Sequence, residues 1–94
     1  MEFGIVSRTP KRNPDSNVLP KDIKKIGIRL KTIRKGLGFS NSDKFANHYD
    51  LDRAQYGKYE SGSQDLRISS LLRILEKINM SISSFFNEEY DLLD

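Results

Sequence analysis

The sequence of 94 residues predicts an all-α domain of about five helices, and three observations carry that prediction. No segment of strand length alternates apolar and polar residues. Apolar residues recur instead at spacings of three and four, which is the helical period. Capping residues, glycine or asparagine stand at the ends of these runs. A chain of this length has room for one hydrophobic core, so the helices belong to a single domain.

The first helix is predicted to begin at Pro20, whose fixed φ suits a first helical position. Its apolar residues follow one stripe at spacings of three, four and three: Ile23, Ile26, Leu30 and Ile33. Gly36 and Gly38 then supply the backbone freedom that a helix end requires.

Two short helices are predicted next, separated by a tight turn. Ser40, with Asp43 three residues later, indicates the N-terminus of the second helix. Asp50 is expected to take the left-handed conformation in the turn. Asp52 and Gln55 form a second cap pair, which opens the third helix.

The third helix carries Tyr56 and Tyr59 at i and i+3 and ends at Gly62. Their spacing beside apolar residues favours a place in the core. The alternative interpretation is a pair of stacking platforms for single-stranded bases.

The last two predicted helices have the clearest apolar pattern. The fourth follows a run with helical spacing: Ile68, Leu71, Leu72, Leu75 and Ile78. Asn79 is expected to end it in the left-handed conformation. Ser81 caps a short fifth helix that contains Phe85 and Phe86.

Three segments are predicted along the chain. Residues 1–19 contain proline, glycine and asparagine without periodicity, and we expect a flexible arm. Because this arm is slightly basic, it either contacts a nucleic-acid backbone or minor groove, or is an uninvolved tail. Residues 20–87 form the helical domain, and residues 88–94 form an acidic C-terminal tail.

Charge is unevenly distributed along the chain, although the total is only +3. Residues 21–35 contain seven basic residues and one acidic residue, whereas residues 63–94 contain three basic and six acidic residues. One end of the domain should therefore attract polyanions. The alternative is that the basic run is an ordinary solvated face.

Composition excludes several classes of protein. The chain has no cysteine and a single histidine, His48, so no catalytic set, metal site or cofactor site is predicted. No apolar run reaches the roughly 18 to 20 residues of a membrane-spanning helix, and the early apolar stretch is shorter than that of a secretory signal, so neither is expected. We expect a cytoplasmic protein with no membrane partner and no small-molecule substrate.

The second and third helices, with small Ala46 in the first and Tyr56 ten residues later, have the arrangement of a helix-turn-helix. Ile26 to Phe86 resembles the Cro/repressor-type helix-turn-helix domains, also called the xenobiotic-response-element family. The resemblance is carried by three segments: IGIRLKTIRKGLGFS, FANHYDLDRAQYGKYESG and SSLLRILEKINMSISSFF. It implies a compact five-helix, phage-repressor-like domain that binds double-stranded DNA, with the helix-turn-helix at helices 2 and 3.

The resemblance also implies roles for individual residues. Base-edge contacts are expected from the start and next turn of the third helix: Arg53, Ala54, Gln55 and Lys58. The position at which this family often has a phosphate-binding glutamine is Ser42 here. Phosphate contacts are therefore expected from Asn41, Ser42, Lys44 and Lys31. A structural ion pair is expected between Arg34 and Glu60.

The predicted function is sequence-specific DNA binding by a small, repressor-like transcriptional regulator. A homodimer is expected because one such domain makes few base contacts. Its interface is expected among apolar residues near the C-terminus: Phe85, Phe86, Tyr90, Leu92 and Leu93. The alternative is a DNA-binding antitoxin or other interaction module whose main partner is a protein.

Overall fold

The computed structural model describes residues 19–93, which form six α-helices and no strand. The helices are α1 (Lys21–Gly36), α2 (Ser42–His48), α3 (Arg53–Ser61), α4 (Ile68–Lys77), α5 (Ile82–Phe85) and α6 (Glu88–Leu92). The predicted all-α class is confirmed. The predicted N-terminal arm lies outside the described residues, apart from Leu19.

The core is assembled from all of the first five helices. Its fully enclosed side chains are Leu30, Phe45, Ala46, Tyr56, Leu71, Ile74, Leu75 and Phe85. Phe45 lies at its centre, with its ring centroid 4.9 Å from those of both Tyr49 and Tyr56. Tyr56 is thus a core residue, whereas Tyr59 is only half-buried at the edge.

Helices α1 to α4 end in the same hydrogen-bonding pattern. In α2, the Leu51 N–H donates to the Ala46 carbonyl at 2.7 Å and the Asp50 N–H to the Asn47 carbonyl at 3.3 Å, which is a Schellman motif. The left-handed residues of the four motifs are Gly38, Asp50, Gly62 and Asn79. The left-handed conformations predicted for Asp50 and Asn79 are confirmed.

The start of α2 differs from the prediction by one residue. Asn41 caps it, not Ser40, because Asn41 has an extended backbone and its Oδ1 accepts the Lys44 N–H at 2.8 Å. The predicted caps Asp52 and Ser81 are confirmed, since each side chain accepts an N–H from the first turn of its helix. Pro20 precedes the first residue of α1 as its N-cap.

A sixth helix stands where the sequence predicts an acidic tail. Asn87 caps α6 by accepting the Glu89 and Tyr90 N–H groups, and Tyr90 is buried. Arg29 of α1 attaches this end of the chain: its guanidinium donates to the Ser84 and Phe85 carbonyls at 2.8 and 2.9 Å and to Glu89 at 3.1 Å. Residues 88–92 therefore pack on the domain.

The apolar residues of α4 divide between two faces. Leu71, Ile74 and Leu75 are buried, whereas Ile68 and Leu72 of the predicted stripe are 62% and 44% exposed. The reason is that only one narrow face of α4 contacts the core. Ile74 lies on that face, whereas Ile68 and Leu72 lie outside it. Residues 19–93 thus leave an apolar surface on α4 uncovered.

Candidate nucleic-acid interface

Helices α2 and α3 form a pair joined by the four residues 49–52. Ala46 of α2 has no exposed surface, and Tyr56 of α3 packs against Phe45 beside it. The small side chain allows the two helices to approach closely, and the tyrosine ring fills the remaining space. The inner face of α3 is thereby fixed and its outer face is left open.

The outer face of α3 carries three of the four residues predicted to face bases. Arg53, Ala54 and Lys58 are all exposed. At 3.6 residues per turn they lie within an arc of about 140°, and Gly57 lies inside that arc. An added Cβ on Gly57 would meet nothing within 4 Å, so this surface is open.

Gln55, the fourth predicted residue, points towards the domain edge. Its side chain is half-buried, and its Nε2 donates to the Tyr59 hydroxyl at 2.9 Å. The amide is therefore engaged one turn along its own helix, away from Arg53 and Lys58.

The residues predicted to contact phosphates occupy two helices. Asn41 and Lys44 are exposed and Ser42 is half-buried, all at the start of α2. Asn41 already uses its Oδ1 to cap the helix, which leaves its amide NH₂ free to donate. Lys31 is exposed on α1, one turn beyond the residue at which α1 crosses α3.

That crossing residue is Gly27. A Cβ at this position would lie 2.5 Å from the backbone oxygens of both Tyr59 and Glu60. At the end of α3, a Cβ on Gly62 would lie 2.8 Å from the Lys24 Cα. The C-terminal end of α3 therefore lies directly against the backbone of α1.

The same end of α3 is held by the Arg34–Glu60 pair. Arg34 donates to the two Glu60 carboxylate oxygens at 2.7 and 3.1 Å, and its Nη1 donates to the Phe39 carbonyl at 2.9 Å. The two side chains are only 5% and 9% exposed. The hydrogen bonds with Glu60 raise the pKa of Arg34 against the opposing effect of burial. For the Tyr56 hydroxyl, which is neutral when protonated, burial has the opposite effect and raises the pKa, and Glu60 raises it further.

One relative is informative about this arrangement. The chain is 31% identical over 68 residues to the control protein C.MunI of Mycoplasma sp, and the alignment covers 71% of this chain and 92% of that protein. The chain belongs to the helix-turn-helix DNA-binding family of this control protein. This chain is therefore a small DNA-binding regulator. No family model and no solved structure matches the chain.

No helix within residues 19–93 has the length and apolar character needed to cross a membrane. The described residues contain no group of three or more His, Cys, Asp or Glu side chains placed to hold a metal ion.

Sequence reasoning missed two residues that shape this helix-turn-helix domain. Arg29 has a visible signal: it follows Ile26 by three and precedes Ile33 by four, so a charge falls within the apolar stripe of α1. For Asp43 the sequence indicates only a part in the cap of α2, whereas its Oδ2 lies 4.0 Å from Nη1 of Arg53. Nothing local in the sequence indicates that contact between α2 and α3.

Proposed function

We propose that this chain is a sequence-specific, repressor-like transcriptional regulator that binds double-stranded DNA as a homodimer and places α3 in the major groove. The observation that carries the proposal is the open face formed by Arg53, Ala54 and Lys58 on a helix whose other side is fixed. A rigid helix with exposed side chains at its start is the arrangement with which helix-turn-helix proteins read bases.

The chemistry of this face suits base edges. Arg53 offers two parallel N–H donors to O6 and N7 of guanine, and Lys58 donates to the same acceptors. Ala54 matches a thymine methyl group. Gly57, between them, permits close approach of the helix backbone to the bases. Gln55 lies beside this face and not on it, because its amide donates to the Tyr59 hydroxyl at the domain edge.

Phosphate contacts flank the base-reading face. Lys44 and the amide of Asn41 are exposed at the start of α2, with Ser42 beside them, and Lys31 extends from α1. Such contacts position a protein on DNA without carrying sequence information, and they weaken as salt rises.

Base reading by Arg53 gives the first testable expectation. Arg53→Ala should lose about 1 to 3 kcal/mol of discrimination at one operator position, measured from sequences selected by the purified protein from random double-stranded DNA. Lys31→Ala is the matched control, since it should weaken binding evenly across sequences. Selection at two salt concentrations separates base reading from counterion release. Equal, sequence-independent losses for both variants would contradict the proposal.

The uncovered apolar surface of α4 and α5 supports the homodimer. Leu72 is 44% exposed and Ile82 46% exposed, and both line a groove with Met80. A second copy of the chain would bury this surface in a two-fold interface. Phe85 and Tyr90, named from the sequence for this role, are buried within their own chain instead.

Leu72→Glu should therefore shift the protein from dimer to monomer in sedimentation velocity, because it places a charge in the apolar interface. Binding to a two-fold operator should fall by about tenfold or more, since a monomer reads one half-site. Leu37→Glu is the matched control, because Leu37 is 47% exposed and lies after α1, outside the groove. A Leu72→Glu protein that remains dimeric would exclude this surface.

In the alternative, a DNA-binding antitoxin or other interaction module, the acidic residues 88–94 would be a free segment that becomes ordered on binding a protein partner. In the structure, residues 88–92 form α6 and are attached to α1 through Arg29. No observation within residues 19–93 favours a protein over DNA as the main partner.

A further inference from the structure

Asp43, in the first turn of α2, places a carboxylate beside the first residue of α3. Its Oδ2 lies 4.0 Å from Nη1 of Arg53, and the two side chains are 64% and 60% exposed. Among the ion pairs of residues 19–93, this is the one that joins α2 to α3. Because such an exposed pair contributes little to stability, its effect is to be sought at the surface itself.

Asp43 places a negative charge on a basic surface and so lowers the attraction of that surface for DNA. Lys44 beside it and Lys58 on α3 are exposed and basic, as is Arg53. A carboxylate in this group reduces the attraction of the surface for phosphates, which is the main source of unselective binding. A residue that weakens unselective binding improves specificity, provided that base reading is kept.

The geometry of the pair shows how base reading is kept. A guanidinium has five N–H donors, and the Asp43 carboxylate lies nearest to Nη1 of Arg53. Nη2 and Nε remain, and together they present the two donors that guanine O6 and N7 accept. An arginine without this partner is free to turn towards a phosphate, where its contact carries no sequence information.

We propose that Asp43 is a positioning residue for base reading: it orients the Arg53 guanidinium towards a guanine edge and keeps it from the phosphate backbone. This inference rests on the proposed function. It assigns a specificity-determining role to a residue that itself does not contact a base.

The test compares wild type, Asp43→Asn, Arg53→Ala and the double variant. Binding is measured to the operator selected from random DNA, to that operator with the Arg53-dependent base pair replaced, and to unrelated DNA. Asp43→Asn should reduce discrimination at that base pair by about 5- to 20-fold and tighten binding to unrelated DNA. In the Arg53→Ala background, the same change should alter discrimination at that base pair by less than about twofold.

Two further variants separate orientation from general charge. Asp22→Asn removes an acid from the first turn of α1, the equivalent position in another helix, and should leave discrimination unchanged. Asp43→Glu keeps the carboxylate and should keep most of the discrimination. Thermal unfolding of each variant, followed by circular dichroism, checks that the fold is intact.

The outcomes distinguish this inference from the function on which it rests. If wild type selects no sequence, the proposed function fails and this inference fails with it. If wild type selects an operator and Asp43→Asn retains the same base preference with uniformly tighter binding, Asp43 only repels phosphates and the positioning role is overturned. If Asp43→Asn loses discrimination in the wild-type background but not in the Arg53→Ala background, the positioning role is supported.

Discussion

Glu60→Ala should destabilise the domain by about 3 to 5 kcal/mol, the largest single-residue effect expected here, because it leaves the buried Arg34 charge without a partner. Arg34 then keeps only the Phe39 carbonyl as an acceptor. The free energy of unfolding, obtained from urea denaturation of the full chain, measures the loss. The C-terminal end of α3, and with it the DNA-reading face, would lose one of its attachments to α1 and keep the close contacts at Gly27 and Gly62.

Two controls define what the Glu60 result means. Asp65→Asn removes a carboxylate from an exposed position between α3 and α4 and should change stability by less than about 0.5 kcal/mol. The double variant Arg34→Met with Glu60→Leu removes both charges and should recover much of the loss, since an apolar pair avoids the desolvation penalty. A Glu60→Ala protein as stable as the Asp65→Asn protein would show that the pair is not structurally important.

Local signals in the sequence were sufficient for most of the helix boundaries. Left-handed termini such as Asp50 and Asn79, and caps such as Asp52, act within a few residues of the chain, so their pattern is visible in one dimension. The one-residue error at Asn41 arose because Ser40, Asn41 and Ser42 are all capable caps. Only the backbone conformation of Asn41 decides among them.

Helix α6 was missed because its five residues are too few to show a helical period. What stabilises it is tertiary: the Arg29 guanidinium on Glu89, and the Lys25 ammonium 4.6 Å from the centre of the Tyr90 ring. An acidic composition alone predicts a solvated tail, because it contains no information about the basic helix that lies beside it.

The residues of the candidate site were predictable to different degrees. The open start of α3, with Arg53 and Lys58, follows from the helix-turn-helix pattern and from the resemblance that located it. The inward turn of Gln55 and the proximity of Asp43 to Arg53 depend on the angle between α2 and α3. That angle is set by packing at Ala46 and Tyr56, and the spacing of these two residues indicates the motif without giving the value of the angle.

Gly27→Ala should destabilise the domain by about 2 to 3 kcal/mol, although alanine is the better helix former. The added Cβ would lie 2.5 Å from two backbone oxygens at the end of α3, and backbone atoms cannot rotate aside as a side chain can. Helix α3 must therefore move away from α1. The urea midpoint of unfolding measures this loss.

Gly57→Ala is the matched control, because it makes the same change inside a helix where the new Cβ meets nothing within 4 Å. It should stabilise the protein by about 0.5 to 1 kcal/mol through helix propensity alone, so the two substitutions should have opposite signs. Stabilisation by both would mean that α1 and α3 do not cross closely at Gly27. Opposite signs would establish that the close crossing, and not helix propensity, decides which residue position 27 accepts.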